Sequence, residues 1–309
     1  MHDFTSNPDI NLNSGTPGTG VRPVLRAVAS QASADGAGVR IQRVAGFQSA
    51  DFSPFLMLDE IRSENPDDYI AGFPPHPHRG IETLTYMLSG EFEHQDHLGN
   101  RGAIREGGAQ WMRAGRGIIH SEMPTQGEGG MHGFQLWINM AAKDKMNRAD
   151  WRDIQTEEVV ELALDERGSQ ARLIAGEWSV NGKQVNGPLM DAAAQAAVAD
   201  IRIQAGAEIT LPLPADHAVL VYIYRGGLAT ERGTVGRGNM LLYGAGEALQ
   251  LRASEETADG TPQQSAGLLV LHGKPLNEPV VHYGPFVMNT REQIEQTLRD
   301  YNNGTLTDS

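Results

Sequence analysis

Two pairs of metal-ligating side chains stand out in the sequence, each with one residue between its members. His76 and His78 lie in the segment FPPHPHRGIETLTY, and His120 and Glu122 lie in WMRAGRGIIHSEMP. Side chains at positions i and i+2 of a β-strand point to the same face of the sheet, so each pair would present both ligands to one side. We predict that the four residues converge on one mononuclear metal site.

The residues around these pairs indicate short strands. Pro75 and Pro77 exclude a helix around the two histidines and limit the hydrogen bonds of a strand, which is typical of the start of a strand or of an edge strand. His120 follows the Gly-rich turn AGRG. Glu82 has the same strand parity as His78, provided that the strand runs on without a break.

An H-x-H pair alone is more often a surface feature than a metal site. Two pairs on consecutive apolar strands favour the metal site, because each buried polar group without a partner costs about 1–3 kcal/mol. The chain contains no cysteine, which excludes thiolate ligands and disulfides. By ligand type alone, three histidines and a glutamate suit Fe(II), Mn, Ni, Cu or Zn.

The remaining histidines lack this paired strand context. His94 and His97 lie in the segment EHQDHLG, which we interpret as a solvent-exposed hairpin tip. His217, His272 and His282 have no paired spacing, and core or surface roles are expected for them.

Composition narrows the class of protein. The chain has 309 residues, 36 glycines and 16 prolines, which favours an all-β protein of many short strands and tight turns. The net charge of −14 argues against direct nucleic-acid binding. No apolar run approaches the ~20 residues needed to cross a bilayer, and the N-terminus does not resemble a signal peptide. We therefore expect a cytoplasmic protein without a membrane partner.

A diverged internal repeat indicates two β-barrel halves. TLTYMLSGEF (83–92) aligns without gaps on VLVYIYRGGL (219–228), and GAQWMRAG (108–115) aligns on GNMLLYGA (238–245). We predict a flexible leader over residues 1–20, a metal-binding domain over 21–150 and a second domain over 151–305. Asn289 or Thr290 is expected to cap a short C-terminal helix that carries Ile294 and Leu298 on one face.

The repeat also predicts that only the first half binds metal. Carried across its offsets of 136 and 130 residues, the four ligands fall on residues that cannot replace them, namely Pro212, Pro214, Gln250 and Arg252. One metal per chain follows.

Several stretches of the chain closely resemble the pirin family of the cupin superfamily. They are PFLMLDE (54–60), HPHRGIETLTY (76–86), QWMRAGRGIIHSEMP (110–124), HGFQLWINM (132–140) and GPFVMNT (284–290). The resemblance implies a bicupin, with two tandem jelly-roll β-barrels that face each other and iron(II) in the N-terminal one. It places the metal on His76, His78, His120 and Glu122, with Mn, Ni, Cu, Zn and Co as alternative metals, and leaves Glu82 as a candidate second-shell residue.

The resemblance implies two kinds of function. Some pirin-like proteins are quercetin 2,3-dioxygenases, in which O₂ cleaves a flavonol and carbon monoxide leaves; here Glu122 would be the general base. Candidate apolar walls for the flat substrate are Phe73, Met112, Phe134 and Trp137; a place in the barrel core is the alternative for each, and the one that its residue type favours. Other family members are coregulators that act through protein contacts without turnover. The surfaces for such a protein partner would be the loop at 64–73 and the turn that contains Arg113 and Arg116.

Overall fold

The computed structural model describes residues 10–11, 20–125 and 130–308. The leader expected over residues 1–20 therefore lies outside the described residues, apart from residues 10–11 and 20. Residues 10–11 form a short strand that pairs antiparallel with residues 26–27. Within the described parts of the chain, no helix is both long enough and apolar enough to cross a membrane.

The described elements are almost all β-strands. Up to residue 163 they are β1 (Ile10–Asn11), β2 (Val24–Ala29), β3 (Gln31–Asp35), β4 (Val39–Ala45), β5 (Phe55–Ser63), β6 (Phe73–His78), β7 (Ile81–Ser89), β8 (Phe92–Asp96), β9 (Arg101–Ile104), β10 (Ala109–Arg113), β11 (Ile118–Pro124), β12 (Met131–Asn139), β13 (Asp150–Ile154) and β14 (Val160–Ala163). The later elements are β15 (Gln170–Ala175), β16 (Glu177–Val180), β17 (Lys183–Asn186), β18 (Ala197–Gln204), β19 (Glu208–Pro212), β20 (Ala218–Arg225), β21 (Gly227–Thr230), β22 (Gly233–Gly236), β23 (Asn239–Tyr243), β24 (Ala248–Arg252), β25 (Ser265–Gly273), β26 (Val281–Tyr283), β27 (Phe286–Met288) and the helix α1 (Arg291–Asn302). Short 3₁₀ helices lie at Ala50–Phe52, Pro66–Asp68, Thr156–Glu158 and Ala193–Gln195.

The chain divides into two compact units that interleave in sequence. The N-terminal unit comprises Gln31–Val160, Pro188–Ala196 and Gly273–Ser309, and the C-terminal unit comprises Met1–Ser30, Glu161–Gly187 and Ala197–His272. This division differs from a single cut near residue 150. Strand β2 pairs with β23 of the C-terminal unit, and β13 pairs with β10 of the N-terminal unit. The unit to which each of these two strands belongs is therefore decided by its pairing partner, which is far away in sequence.

Two sheets enclose the core of the N-terminal unit. The larger has the strand order β13-β10-β7-β12-β5-β4-β3, and the smaller has the order β6-β11-β8-β9. A cluster of buried apolar side chains joins the two sheets, with Val39 and Met87 from the larger and Phe92 and Ile104 from the smaller. Burial of such side chains contributes about 1.5–3 kcal/mol each, so the interface between the sheets is the main stabilising feature of this unit.

The C-terminal unit repeats the same strand order. Its large sheet contains the run β2-β23-β20-β25-β18-β15, which matches β13-β10-β7-β12-β5-β4 strand for strand. The internal duplication is therefore present in the topology. Carried over from the N-terminal unit, the aligned segments would pair Tyr222 with Asn239. In the structure Tyr222 pairs with Met240, so the register differs by one residue. A one-residue shift moves side chains to the other face of a strand, so sequence offsets alone do not fix equivalent positions.

The C-terminal helix belongs to the N-terminal unit. Thr290 caps α1 by accepting a hydrogen bond from the backbone N–H of Gln293, whose side chain bonds back to the cap. Ile294 is buried in a small cluster with Phe286 and Met288, and Leu298 packs against this cluster. The capped helix with Ile294 and Leu298 on one face is thus confirmed. Its position places the end of the chain beside strands that carry the site.

Candidate metal centre

Three of the four predicted ligands meet at one point in the N-terminal unit. Strands β6 and β11 pair antiparallel, with His76 opposite His120 and His78 opposite Ile118. One ring nitrogen from each of His76, His78 and His120 lies within 4.8 Å of the others. Strand β6 is an edge strand that pairs with β11 alone, as its prolines require. Across the described residues this is the one group of three or more potential ligands.

Hydrogen bonds orient all three imidazoles. The Nδ1 atom of His76 lies 2.8 Å from the carbonyl oxygen of Pro74, and Nδ1 of His78 lies 3.3 Å from that of Pro285. A carbonyl oxygen only accepts, so both Nδ1 atoms carry the proton and both Nε2 atoms present a lone pair. The Nδ1 of His120 lies 3.3 Å from Nδ1 of His94. The Nε2 atom of His120 is buried and has no hydrogen-bond partner in the described structure.

The buried environment keeps the histidines neutral. Burial, together with a smaller contribution from the neighbouring His76, lowers the pKa of His78 to about 3. Burial likewise holds the pKa of His120 well below its usual value, with smaller contributions from His78 and His76. A metal ligand must be a neutral imidazole, and three converging lone pairs, one of them on an orphaned buried atom, fit a divalent transition metal.

Glu122 lies beside the three histidines rather than in their cluster. It is 3% exposed. Its Oε1 accepts a hydrogen bond from the hydroxyl of Thr85 at 3.1 Å, and its Oε2 accepts one from the side-chain amide of Gln135 at 2.7 Å. A shift in the β6–β11 register occurs between His120 and Glu122. In this arrangement the carboxylate is held by neutral donors close to the site.

Glu82 has a different role from the one expected from its spacing. Its carboxylate accepts hydrogen bonds from the indole N–H of Trp111 at 2.9 Å, from Arg113 at 3.0 Å and from the backbone N–H of Ala193 at 2.7 Å. Burial raises the pKa of Glu82, and these donors oppose the shift. The strand breaks between β6 and β7 at Gly80, where φ is +82°. Because of this break, the side chains of Glu82 and Thr85 lie on different faces of β7. Thr85 contacts Glu122, and Glu82 therefore points away from it.

The four candidate wall residues separate into two groups. Trp137 packs edge-on against His78 at 5.2 Å, and its buried indole N–H has no acceptor among the described residues. Met112 is buried in the same cluster as Trp137, and Phe73 lies 6.5 Å from the ring of His76. Phe134 instead occupies the other face of β12 and stacks on Tyr86, so we assign it to the packing of that face.

His94 is a buried neighbour of the candidate ligands that the sequence interpretation missed. It is 1% exposed rather than at a solvated tip, and it lies opposite Glu122 in the β11–β8 pairing. Its partner at i+2, Asp96, is opposite His120. The spacing of His94 and Asp96, with one residue between them, is the same sequence signal that identified the other pairs. In the structure, buried and more exposed residues alternate along β8, as this spacing predicts.

The C-terminal unit offers no equivalent centre. In its described residues, strands β19 and β24 pair in the way that β6 and β11 do, but neither contains a histidine. A groove of about 680 Å³ in this unit is lined by Arg252–Ala258 together with Ala229, Thr234 and Gly260. Among the described residues, no group of three or more potential metal ligands lies in this groove.

Comparisons with known proteins agree with this architecture. The family model for pirin matches residues 38–138, and the model for the pirin C-terminal cupin domain matches residues 198–307. A Vibrio cholerae protein described as a "putative quercetin 2,3-dioxygenase" is 50% identical over 92% of this chain and 97% of its own length. A Pseudomonas aeruginosa protein with the same description is 47% identical over 93% of this chain and 99% of its own length.

A solved structure extends the likeness to the fold. The crystal structure of quercetin 2,3-dioxygenase from Acinetobacter baumannii matches with a TM-score of 0.82 and 30% identity, covering 93% of this chain and 98% of that one. The two family models and the full-length relatives cover both units, each of which is a cupin domain. The chain belongs to the pirin family.

Proposed function

We propose that the N-terminal unit binds one iron(II) ion through Nε2 of His76, His78 and His120, with Glu122 as the fourth ligand. We further propose that the protein is a quercetin 2,3-dioxygenase, which cleaves a flavonol with O₂ and releases carbon monoxide. The observation that carries the proposal is the convergence of three imidazoles whose Nδ1 atoms are all engaged. This pattern leaves Nε2 of each ring for the ion.

The relatives support the choice of reaction. Two proteins at 50% and 47% identity carry the same description over nearly their whole length. The solved quercetin 2,3-dioxygenase shares 30% of its residues with this chain across both units.

The neighbouring residues suit a flavonol. A divalent cation in this position would lower the pKa of a bound hydroxyl group. Glu122 accepts the hydroxyl proton at a carboxylate oxygen, while Thr85 and Gln135 hold that carboxylate in place. The unpartnered indole N–H of Trp137 supplies a donor for a substrate oxygen. Buried Met112 provides apolar contact for the rings.

The test is oxygen uptake under defined metal loading. Metal-free protein is loaded with Fe(II) without oxygen, mixed with quercetin and then exposed to O₂. We expect flavonol-dependent O₂ uptake with release of carbon monoxide. Glu122→Gln should lower kcat on the order of 100-fold or more, because it removes both the base and a charged metal ligand while keeping the shape of the side chain.

A matched control separates a chemical effect from a structural one. Glu93 lies on β8 directly opposite Met123 and pairs with Arg101 at the surface, so Glu93→Gln should leave kcat within twofold of the parent. Absence of flavonol-dependent uptake by the iron-loaded parent would contradict the proposed activity. That result with one tightly bound iron per chain would favour a regulatory protein that uses the metal without turnover.

A further inference from the structure

His94 contacts the metal-ligand cluster through His120, on the Nδ1 side of that ring. Its ring is 1% exposed and stacks on Trp151 with the ring centroids 5.5 Å apart and the planes at 21°. Its Nδ1 lies 3.3 Å from Nδ1 of His120. The stacking fixes the plane of the His94 ring, and the short contact fixes which of its atoms faces His120.

The proton positions along this contact follow from the number of N–H groups on each ring. A neutral imidazole carries one N–H, and two Nδ1 atoms in contact must include one donor and one acceptor. If Nε2 of His120 presents its lone pair to an ion, the proton of His120 lies on Nδ1 and is donated to His94. His94 then carries its own proton on Nε2, which lies 3.7 Å from Oδ2 of Asp96.

Asp96 forms a fixed end to this chain of groups. Its Oδ1 accepts hydrogen bonds from the backbone N–H of Leu98 at 2.9 Å and of Asn100 at 3.0 Å. Its Oδ2 accepts one from the side-chain amide of Asn100 at 2.7 Å. The carboxylate is therefore held by the hairpin turn, and its Oδ2 lies 3.7 Å from Nε2 of His94, a distance too long for a hydrogen bond; that Nε2 has no hydrogen-bond partner in the described structure.

We propose that His94 is a positioning residue of the metal centre. It accepts the Nδ1–H of His120 and so fixes the tautomer and the orientation of that ligand, while the buried carboxylate of Asp96 lies close to the far side of the His94 ring. This inference rests on the metal site proposed above. Outer partners of this kind orient ligands and raise their basicity, and their loss typically weakens metal binding by about 10- to 100-fold.

The experiment measures metal binding rather than turnover. Metal-free full-length protein is titrated with Co(II) in competition with a chelator, and the visible spectrum of the bound Co(II) is recorded. His94→Phe keeps a flat ring against Trp151 but removes the acceptor. We expect Co(II) affinity to fall by about 10- to 100-fold, with a shifted ligand-field spectrum.

Two further variants make the result specific. His94→Gln restores an acceptor oxygen, so its affinity should lie between those of the parent and His94→Phe. Gln95→Ala changes the neighbouring exposed residue of β8 and should leave affinity and spectrum unchanged. The inference is overturned if His94→Phe binds Co(II) within twofold of the parent with the same spectrum. It is also overturned if His94→Gln is as weak as His94→Phe while both remain folded by circular dichroism.

One more variant separates this inference from the proposed site. His120→Ala should lose the Co(II) spectrum altogether. Parent-like binding by His120→Ala would remove the metal site itself and with it the role of His94. Loss of binding in His120→Ala together with parent-like His94→Phe would remove the role of His94 alone.

Discussion

Replacing Arg79 with methionine should release α1 and the end of the chain from the strands that carry the site. The guanidinium of Arg79 donates to Oδ2 of Asp300 at 2.7 Å, to the hydroxyl of Thr297 at 3.2 Å and to the carbonyl oxygen of Leu306 at 3.2 Å. It also donates to the carbonyl oxygen of Arg116. One side chain thus connects the end of β6 to three points in the last thirteen residues of the chain.

The magnitude follows from the burial of the pair. The side chain of Arg79 is 5% exposed and that of Asp300 is 22% exposed. Breaking a fully buried ion pair costs about 3–5 kcal/mol, but the partly exposed carboxylate regains water when its partner is lost. Methionine also keeps the apolar contacts of the stem. We expect a local loss of about 2–3 kcal/mol.

Hydrogen exchange of the α1 amides reports this loss directly, because helix opening sets the exchange rate of its own residues. Where exchange follows the opening equilibrium, 2–3 kcal/mol corresponds to an acceleration of about 30- to 150-fold. Arg299→Met is the matched control, since Arg299 is an exposed residue of the same helix and bonds to Gln296. It should change exchange by less than about threefold. Peptides from residues 197–272, in the other unit, provide an internal reference.

The same release should reach the metal. Pro285, whose carbonyl oxygen orients His78, belongs to the C-terminal segment that Arg79 holds. Arg79→Met should therefore also weaken Co(II) binding several-fold. Parent-like exchange of α1 in Arg79→Met would refute the argument that this side chain holds the helix, and it would remove the reason for any effect on the metal.

Three other predictions concern buried polar groups. Lys145→Met should lower the free energy of unfolding by about 2–4 kcal/mol in urea titrations, because Nζ of Lys145 donates to three buried oxygen atoms at 2.6, 2.7 and 3.0 Å. Glu82→Gln should destabilise the protein by about 1–3 kcal/mol through its contacts with Trp111 and Arg113, yet leave Co(II) affinity within twofold; a large loss of affinity would return Glu82 to the site. Burial, with a smaller contribution from His217, lowers the pKa of His272 to about 3, so between pH 6.5 and 3 the unfolded chain binds a proton at this residue that the folded chain does not. His272 should therefore contribute about 1.4 kcal/mol per pH unit to the loss of stability with decreasing pH, and His272→Leu should reduce the slope by that amount; an unchanged slope would contradict this assignment.

The sequence identified the three histidines because the signal was local. A spacing of i and i+2 fixes the face of a strand whatever the strand packs against, and the prolines around His76 and His78 made an edge strand the only regular element compatible with them. Both conclusions depend on neighbouring residues alone. The same locality explains why the C-terminal helix could be predicted from a capping residue at Asn289 or Thr290 and from the spacing of Ile294 and Leu298.

The expectation for Glu82 failed because it assumed an unbroken strand. Two features require a glycine at position 80. The backbone has a positive φ there, which glycine adopts readily, and a Cβ atom would overlap the carbonyl oxygen of Val287. Val287 lies more than 200 residues away in sequence. Nothing near Glu82 indicates that contact, and parity counted through the turn gives the wrong face.

His94 illustrates a different limit. Its spacing to Asp96 carried the same i and i+2 signal, but the hairpin EHQDHLG was assigned to solvent by its polarity. In the fold, its neighbour Asp96 is buried because it satisfies the amides of its own turn, and His94 is buried against Trp151. Polar composition therefore did not distinguish a solvated tip from a polar strand that faces a barrel interior.

The most direct test of the account is the metal content of the protein and of its histidine variants. Protein prepared without a histidine tag is loaded anaerobically with Fe(II), freed of excess metal and measured by mass spectrometry for iron per chain. The parent should hold one iron per chain, and His76→Ala, His78→Ala and His120→Ala should each hold much less while remaining folded. One iron per chain retained by His120→Ala, or two by the parent, would contradict the single three-histidine centre.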